Sequence, residues 1–305
     1  MLPAAEGPAP AGDNGRPAAL ARANPACATL PNMILGLEWQ LIAELLVLGS
    51  ATGFLAGLLG IGGGMLLVPF LTLLLGHRGV APELAVKMAI ATSMATILFT
   101  SLSSVRAHHR RGAVRWDLVR GLAPGIVAGG LLAGAGAFAI LKGQWLALLF
   151  ALFVGFSATQ MLLDRKPAPH REMPRTAGQW GVGGAIGFLS GLVGAGGGFL
   201  SVPFMTWCNV AIHNAVATSA ALGFPIALAA TAGYVIGGWS LPPALPGAAG
   251  YLYLPALVVV AMASVVLAPR GARAAHAMNV AQLKRVFALL LYGLAAYMVY
   301  KGLAG

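Results

Sequence analysis

Two apolar stretches of this chain share one glycine-rich pattern. Residues 53–70 read GFLAGLLGIGGGMLLVPF, and residues 187–204 read GFLSGLVGAGGGFLSVPF. Glycine lacks a Cβ and loses more backbone entropy in a helix than other residues do, so the triple glycine in each copy predicts a broken helix. The Val-Pro pair after each triple glycine predicts the opening turn of a new helix. A broken helix leaves backbone N–H groups unpaired, and in lipid these are tolerated only inside protein or beside an aqueous cavity.

Composition identifies the chain as a membrane protein. Of its 305 residues, 58% are hydrophobic and 9% are charged, and the mean hydropathy is +0.82. A soluble domain carries roughly a quarter charged residues and exposes far less apolar surface. Runs of about 20 apolar residues repeat from Ile34 onward, as in a polytopic helical membrane protein. The predicted fold class is therefore all-α.

The formal net charge of +11 is better explained by membrane topology than by nucleic acid. The basic residues cluster in the loops between apolar runs, where they orient a membrane protein. The two cysteines, Cys27 and Cys208, form neither a disulfide framework nor a metal motif. We therefore expect neither a metal nor an organic cofactor.

The chain divides into two copies of a five-segment unit. Besides the glycine motif, Ala-Ile-Ala-Thr-Ser at 89–93 matches Ala-Val-Ala-Thr-Ser at 215–219. We predict a disordered N-terminal extension at 1–33, transmembrane repeats at 34–163 and 177–305, and a cytoplasmic linker at 164–176. Met33 directly precedes the first apolar run, and we expect it to be the start of translation. The ten predicted segments are 34–60, 62–76, 84–105, 117–141 and 144–163 in the first repeat, and 177–195, 197–208, 212–236, 247–269 and 281–303 in the second.

Positive charges predict that the two repeats cross the membrane in opposite directions. The loop after the third segment of the first repeat holds five arginines, whereas its counterpart at 237–250 holds none. Cytoplasmic loops are rich in Lys and Arg, which places 106–116, 164–176 and 270–280 in the cytoplasm and 142–143, 237–250 and both termini outside. Inverted-topology repeats with glycine-broken helices are a common plan of secondary transporters.

The glycine breaks and the repeated Thr-Ser pair form the candidate binding site. Two helix N-termini facing one cavity near the midplane would favour a small anion, because each carries a partial positive charge and free N–H groups. Hydroxyl groups donate hydrogen bonds to oxyanions without the cost of burying a charge. The alternatives are close helix packing for the upstream glycines, and back-bonding or helix contacts for the hydroxyls. The predicted substrate-binding residues are Gly62, Gly63, Gly64, Thr92, Ser93, Gly196, Gly197, Gly198, Thr218 and Ser219.

Three ionisable residues near segment ends each have two interpretations. Glu44 lies inside the first segment, where it would either carry a coupling proton or reach the membrane interface. Lys87 and His213 open the third segments of the two repeats, either as interface anchors or as residues that attract anions to the pore mouth.

The chain resembles the TauE/SafE family of sulfite-exporter-like membrane proteins. The resemblance rests on the glycine-rich pattern GFL-x-GL-x-G-x-GGG-x-L-x-VPF, which occurs twice, and on the Ala-Thr-Ser that follows each copy. It covers nearly all of the chain after residue 33 and includes His109, followed by Arg111-Gly112, and the stretch 269–272. The resemblance implies export of a small sulfur-containing anion such as sulfite, a sulfonate or sulfoacetate, without choosing among them. Asp117 follows Trp116 here, whereas the family often has the acidic residue before the tryptophan, a departure that affects no transport residue.

The sequence thus predicts a secondary transporter of the bacterial inner membrane, not an enzyme, that works by alternating access. Its predicted partners are the small anion and the lipid bilayer, and no nucleic acid. The sequence leaves open whether the protein forms a homodimer. Two rival functions are a passive anion channel and an intramembrane enzyme that would use Ser190 and the histidines. All six histidines lie near segment ends or in loops, which disfavours the enzyme.

Overall fold

A computed structural model describes residues 33–34, 37–59, 63–163, 172–275 and 280–304. Helices make up nearly all of this part of the chain, which confirms the all-α class. The first half contains α1 (Trp39–Leu59), α2 (Gly64–His77), α3 (Pro82–Arg110), α4 (Trp116–Leu131), a π-helical turn (Leu132–Ala137), α5 (Phe138–Ile140) and α6 (Gly143–Leu163). The second half contains α7 (Thr176–Val193), α8 (Gly198–Trp207), α9 (Ile212–Gly238), α10 (Leu254–Ala275) and α11 (Val280–Ala304).

Seven helices of the described residues are long and apolar enough to cross a membrane, which confirms a multi-pass membrane protein. Three of the four helices that flank the glycine breaks, α2, α7 and α8, are not among the seven. The chain forms two compact units, Met1–Leu41 and Ile42–Gly305, and the glycine breaks belong to the second. Residues 1–32 of the predicted extension and 164–171 of the predicted linker lie outside the described residues, so the domain boundaries stay predictions.

Two predicted segments begin later than expected because each is preceded by a short strand pair. In the first unit, β1 (Met33–Ile34) pairs antiparallel with β2 (Leu37–Glu38), and α1 begins only at Trp39. In the second unit, β3 (Ala248–Ala249) pairs with β4 (Leu252–Tyr253), so the segment predicted at 247–269 becomes a hairpin followed by α10. Gly250, with φ +57°, provides the turn of that hairpin. Short apolar runs of this kind do not distinguish strand from helix by hydrophobicity alone.

Both predicted helix breaks are confirmed. In the first repeat α1 ends at Leu59 and α2 begins at Gly64, with Gly63 as its N-cap, while Gly62 lies outside the described residues. In the second repeat Gly194 (φ +74°) ends α7 and Gly197 (φ +73°) precedes α8, and both have the left-handed backbone that glycine adopts without strain.

The prediction that proline opens each new helix is wrong. Pro69 is the sixth residue of α2 and Pro203 the sixth of α8. The helices resume as soon as the glycine run ends, before the proline is reached. Each proline therefore removes one backbone hydrogen bond from inside its helix.

Several helix contacts are repeated when the two halves are exchanged. The third helices of the halves, α3 and α9, pack against each other, and so do the last helices, α6 and α11. The fourth segment of each half packs on the third helix of the other half, as α4 does on α9 and α10 does on α3. The fourth segment also packs on the first helix of the other half: α4 contacts α7, and α10 is approached by Gly49 and Gly53 of α1. This exchange supports the internal duplication, and the opposite orientation of the repeats in the membrane stays a prediction.

Upstream glycines of the motif serve helix packing, as expected. A Cβ on Gly53 would clash with the main chain of Ser264, and a Cβ on Gly187 would clash with the main chain of Ile126. A Cβ on Gly191 would lie 2.8 Å from that of Ala133. Small residues at these positions let the helix backbones approach closely.

Candidate functional site

The two glycine breaks meet at one point. A Cβ added to Gly64 would lie 2.6 Å from the carbonyl oxygen of Gly194 and 3.2 Å from Ser93 Oγ. The hydroxyl group of Ser93 lies 3.4 Å from the carbonyl oxygen of Gly64 and 3.5 Å from that of Gly194, and it can donate to either. One buried serine on α3 therefore connects the first break to the second.

This meeting point lies near the middle of the two central helices. Ser93 is the twelfth of the 29 residues of α3, about 4.5 Å along the axis from the middle residue, Thr96. Gly223 is the twelfth of the 27 residues of α9, and a Cβ there would lie 3.6 Å from the carbonyl oxygen of Gly196. A membrane-spanning helix has its middle residues deep in the bilayer, so both breaks lie far from either surface.

A small cavity adjoins the first break. Its volume is about 10 Å³, which is room for about one water molecule. A sulfur oxyanion with four or more heavy atoms does not fit, so the first break is closed in this conformation. Glycines and the apolar side chains of Ala56, Leu67 and Ile97 form part of its lining. The rest comes from five hydroxyl-bearing residues: Thr52, Ser93, Thr96, Thr100 and Ser264.

The second break is closed by an aliphatic side chain. The Cδ1 atom of Ile226, on α9, occupies the space that a Cβ on Gly197 would need. Beside it, Ser201 Oγ lies 2.9 Å from the carbonyl oxygen of Gly197 and 2.8 Å from Ser219 Oγ. Ser219 thus lies at the first turn of α8, as Ser93 lies at the first turn of α2. The structure brings both serines of the repeated Thr-Ser pair to a glycine break.

The two threonines of that pair contact the opposite repeat instead. The backbone N–H of Arg115, which caps α4, donates to Thr218 Oγ1 over 3.0 Å. The N–H of Tyr253, directly before α10, donates to Thr92 Oγ1 over 3.0 Å. Each threonine therefore ties the start of a helix in one repeat to the central helix of the other. Of the two interpretations left open by the sequence, helix contact is the one these bonds show, and binding by Thr92 and Thr218 stays a prediction.

The predicted coupling residue lies away from both breaks. Glu44 is exposed and lines a surface groove of about 650 Å³ between α1, α2 and α11. His77 and Arg78 line the same groove at the end of α2, whereas Thr52 and Leu66 line it near the glycine break. The carboxylate is not among the groups that line the cavity at the first break. Its role in coupling stays a prediction.

Lys87 and His213 occupy equivalent helix positions with different surroundings. Lys87 is half-buried, donates through Nζ to the carbonyl oxygen of Ala139 over 3.1 Å, and lies 5.6 Å from the ring centre of Tyr251. His213 is exposed on the first turn of α9. The lysine therefore connects α3, α5 and the turn of the β3–β4 hairpin, and both interpretations of Lys87 and His213 stay predictions.

Several hydroxyl groups at the breaks were missed by the sequence analysis. Thr96 and Thr100 follow Thr92 at intervals of four, which places the three on one face of α3, and this spacing was a usable signal. Ser190 of the second motif stands where the first motif has Ala56, a difference visible in the aligned copies. Nothing in the sequence links Ser264 to the first break, because that contact depends on how α10 packs on α1.

The intramembrane-enzyme alternative gains no support from Ser190. Among the described residues its Oγ has no hydrogen-bond partner, so none of them acts as a base that would activate it as a nucleophile.

Comparison with known proteins places the chain in a family. The model of the family described as "Sulfite exporter TauE/SafE" matches residues 45–298. A "Probable membrane transporter protein" of Haemophilus influenzae is 35% identical over 84% of this chain and 97% of its own length. A "Probable membrane transporter protein" of Methanocaldococcus jannaschii is 30% identical over 61% of this chain and 71% of its own length. "Probable membrane transporter protein YunE" of Bacillus subtilis is 33% identical over 67% and 83%.

No solved structure matches the chain. The family match covers both glycine breaks and both central helices, and the relatives are named as membrane transporters. The chain is a multi-pass membrane transporter and belongs to the sulfite exporter TauE/SafE family.

Proposed function

We propose that the chain is a secondary transporter that exports a small sulfur-containing anion, such as sulfite, a sulfonate or sulfoacetate, by alternating access. The observation that carries the proposal is the contact between the two helix breaks, with Ser93 Oγ between Gly64 and Gly194. Broken helices that meet near the midplane, one from each repeat, are the arrangement found around substrate sites of secondary transporters. The family name points to the class of anion.

The chemistry of the breaks suits an oxyanion. Helices α2 and α8 both begin at a break, and a helix N-terminus favours negative charge by about 0.3–1 kcal/mol, or up to ~2 kcal/mol when partly buried. The backbone N–H groups at these helix starts are the available donors, and they bring no buried charge. Sulfite and sulfonates offer three oxygen atoms to such donors.

The closed state of both breaks supports alternating access. The cavity at the first break holds about one water, and Ile226 covers Gly197 at the second. An anion therefore enters only after the two repeats move relative to each other, which separates Gly64 from Gly194. Inverted repeats would let one rocking motion open the site to each side in turn.

Exchange transport in liposomes tests this proposal. Purified protein is reconstituted and loaded with unlabelled sulfite, thiosulfate, sulfoacetate or taurine, and entry of ³⁵S-labelled sulfite is measured. A carrier predicts saturable uptake that is accelerated by internal substrate. Steady single-channel current without such acceleration would support the passive anion channel instead. If labelled sulfite is not exchanged and none of the sulfur compounds stabilises the protein thermally, small sulfur-containing anions are excluded as the substrate class.

A further inference from the structure

Ser190 carries a buried hydroxyl group without a hydrogen-bond partner. It lies in the last turn of α7, its side chain is 0% exposed, and its Oγ neither donates nor accepts in the structure. A serine inside a helix commonly bonds back to the carbonyl group three or four residues earlier, as Ser157 and Ser201 do. A buried polar group that forgoes this bond requires a reason, and a bound ligand or water is one.

The hydroxyl group lies against the second glycine break. A Cβ on Gly197 would lie 3.3 Å from Ser190 Oγ, and the N–H of Gly194 donates to the Ser190 carbonyl oxygen over 2.9 Å. Gly197 is followed at once by α8, whose first two N–H groups belong to Gly198 and Phe199. A helix cannot pair its own first N–H groups, and no described loop carbonyl accepts from these two.

We propose that Ser190 Oγ and the N–H groups of Gly198 and Phe199 form an oxyanion subsite at the second break. The three groups are donors, and the N-terminus of α8 adds a partial positive charge. A sulfite or sulfonate group presents three acceptor oxygens to such a set. The subsite deepens the proposed function and rests on it, because it assigns a specificity-determining residue to the same transport site.

The subsite belongs to the second repeat alone. At the first break the position of Ser190 is taken by Ala56, whose Cβ would lie 3.6 Å from a Cβ on Gly63. The methyl group of alanine forms no hydrogen bond, so the two breaks offer the anion different sets of hydrogen-bond donors. Ile226 packs on Gly197 in this conformation, and its side chain leaves that position when the anion binds.

The test compares Ser190→Ala with wild type in the full chain. The KM for ³⁵S-labelled sulfite in liposome exchange should rise about tenfold or more, because a hydrogen bond to a charged group is lost. The sulfite concentration that half-maximally raises the melting temperature should rise in parallel. Without sulfite the melting temperature should not fall, since the removed hydroxyl has no partner in the protein.

Thr231→Val is the matched control. Thr231 Oγ1 is the other buried hydroxyl without a partner among the described residues, and no described contact places it at a break. It should keep the wild-type KM. A wild-type KM in Ser190→Ala, or an equal rise in Thr231→Val, overturns the subsite while sulfite exchange by the wild type leaves the proposed function standing. If wild type neither exchanges nor is stabilised by sulfite, thiosulfate or sulfoacetate, the proposed function falls and the subsite with it.

Discussion

Single hydroxyl groups hold the two repeats together at the residue scale. Thr92 and Thr218 use their side-chain oxygens to accept from main-chain N–H groups at the start of helices in the opposite repeat. Such bonds cap helices that have no capping side chain of their own at the N-cap position, as in α4. The two residues of the repeated Thr-Ser pair therefore have different roles. The threonine bonds to the opposite repeat, and the serine lies at a glycine break.

Thr218→Val should destabilise the protein by about 1–3 kcal/mol, because valine keeps the shape but leaves the N–H of Arg115 without its acceptor. The free energy of unfolding is measured by denaturant titration in detergent. Thr72→Val is the control, since Thr72 Oγ1 only bonds back to the carbonyl of Val68 in its own helix. The control should lose less than about 1 kcal/mol. Equal losses in the two variants would contradict a special role for the bond between repeats.

Packing of α4 on α7 shows how glycine acts at the scale of elements. A Cβ on Gly125 would clash with the carbonyl oxygen of Trp180, and a Cβ on Gly129 would clash with that of Gly184. The backbones of the two helices touch at these glycines. Bundles in lipid rely on this kind of close contact, since water does not drive helices together there.

Gly125→Ala should therefore cost about 1–3 kcal/mol of stability through overpacking, although alanine is the better helix former. Gly181→Ala, in α7, places a methyl group where nothing lies within 4 Å, and it should be neutral or stabilising. Melting temperatures of the two variants in detergent make the comparison. A larger loss of stability for Gly181→Ala than for Gly125→Ala would contradict the close backbone contact between α4 and α7.

The sequence predicts much of this arrangement of helices, and the physical reason differs from residue to residue. The triple glycines predicted both breaks because glycine is costly in a helix, and Gly194 and Gly197 have the positive φ that only glycine adopts freely. The strand pair at 248–253 was not predicted because its apolar residues are compatible with either a helix or a strand. The grouping of Thr52 with Ser264 depends on contacts between helices far apart in the chain, and no local pattern encodes such contacts.

Duplication organises the whole molecule. Exchange of the halves converts the contacts of α4 with α9 and of α2 with α3 into those of α10 with α3 and of α8 with α9, and both breaks lie beside the middle of the central pair, α3 and α9. The distribution of arginines in the sequence predicts that the two halves have opposite orientations in the membrane.

Cysteine accessibility in cells tests that orientation. In a Cys27→Ser background, where Cys208 is buried, single cysteines replace the exposed residues Ala244 and Arg111. A membrane-impermeant maleimide should label Ala244→Cys in intact cells and Arg111→Cys only after permeabilisation. The parent with Cys208 alone measures background labelling. Labelling of both positions in intact cells would contradict the inverted arrangement.

The contact between the breaks is tested most directly by sulfite exchange in liposomes with Gly64→Ala. A Cβ at Gly64 would lie 2.6 Å from the Gly194 carbonyl oxygen, so this single methyl group destabilises the closed contact between the breaks. A carrier that works by alternating access passes through this closed state in every exchange cycle. Gly76→Ala, in the same helix with nothing within 4 Å, is the control. We predict that Gly64→Ala lowers the exchange rate about 5- to 150-fold, the range that corresponds to overpacking of about 1–3 kcal/mol, while Gly76→Ala keeps the wild-type rate. Wild-type exchange by Gly64→Ala would show that the anion does not pass between the two breaks.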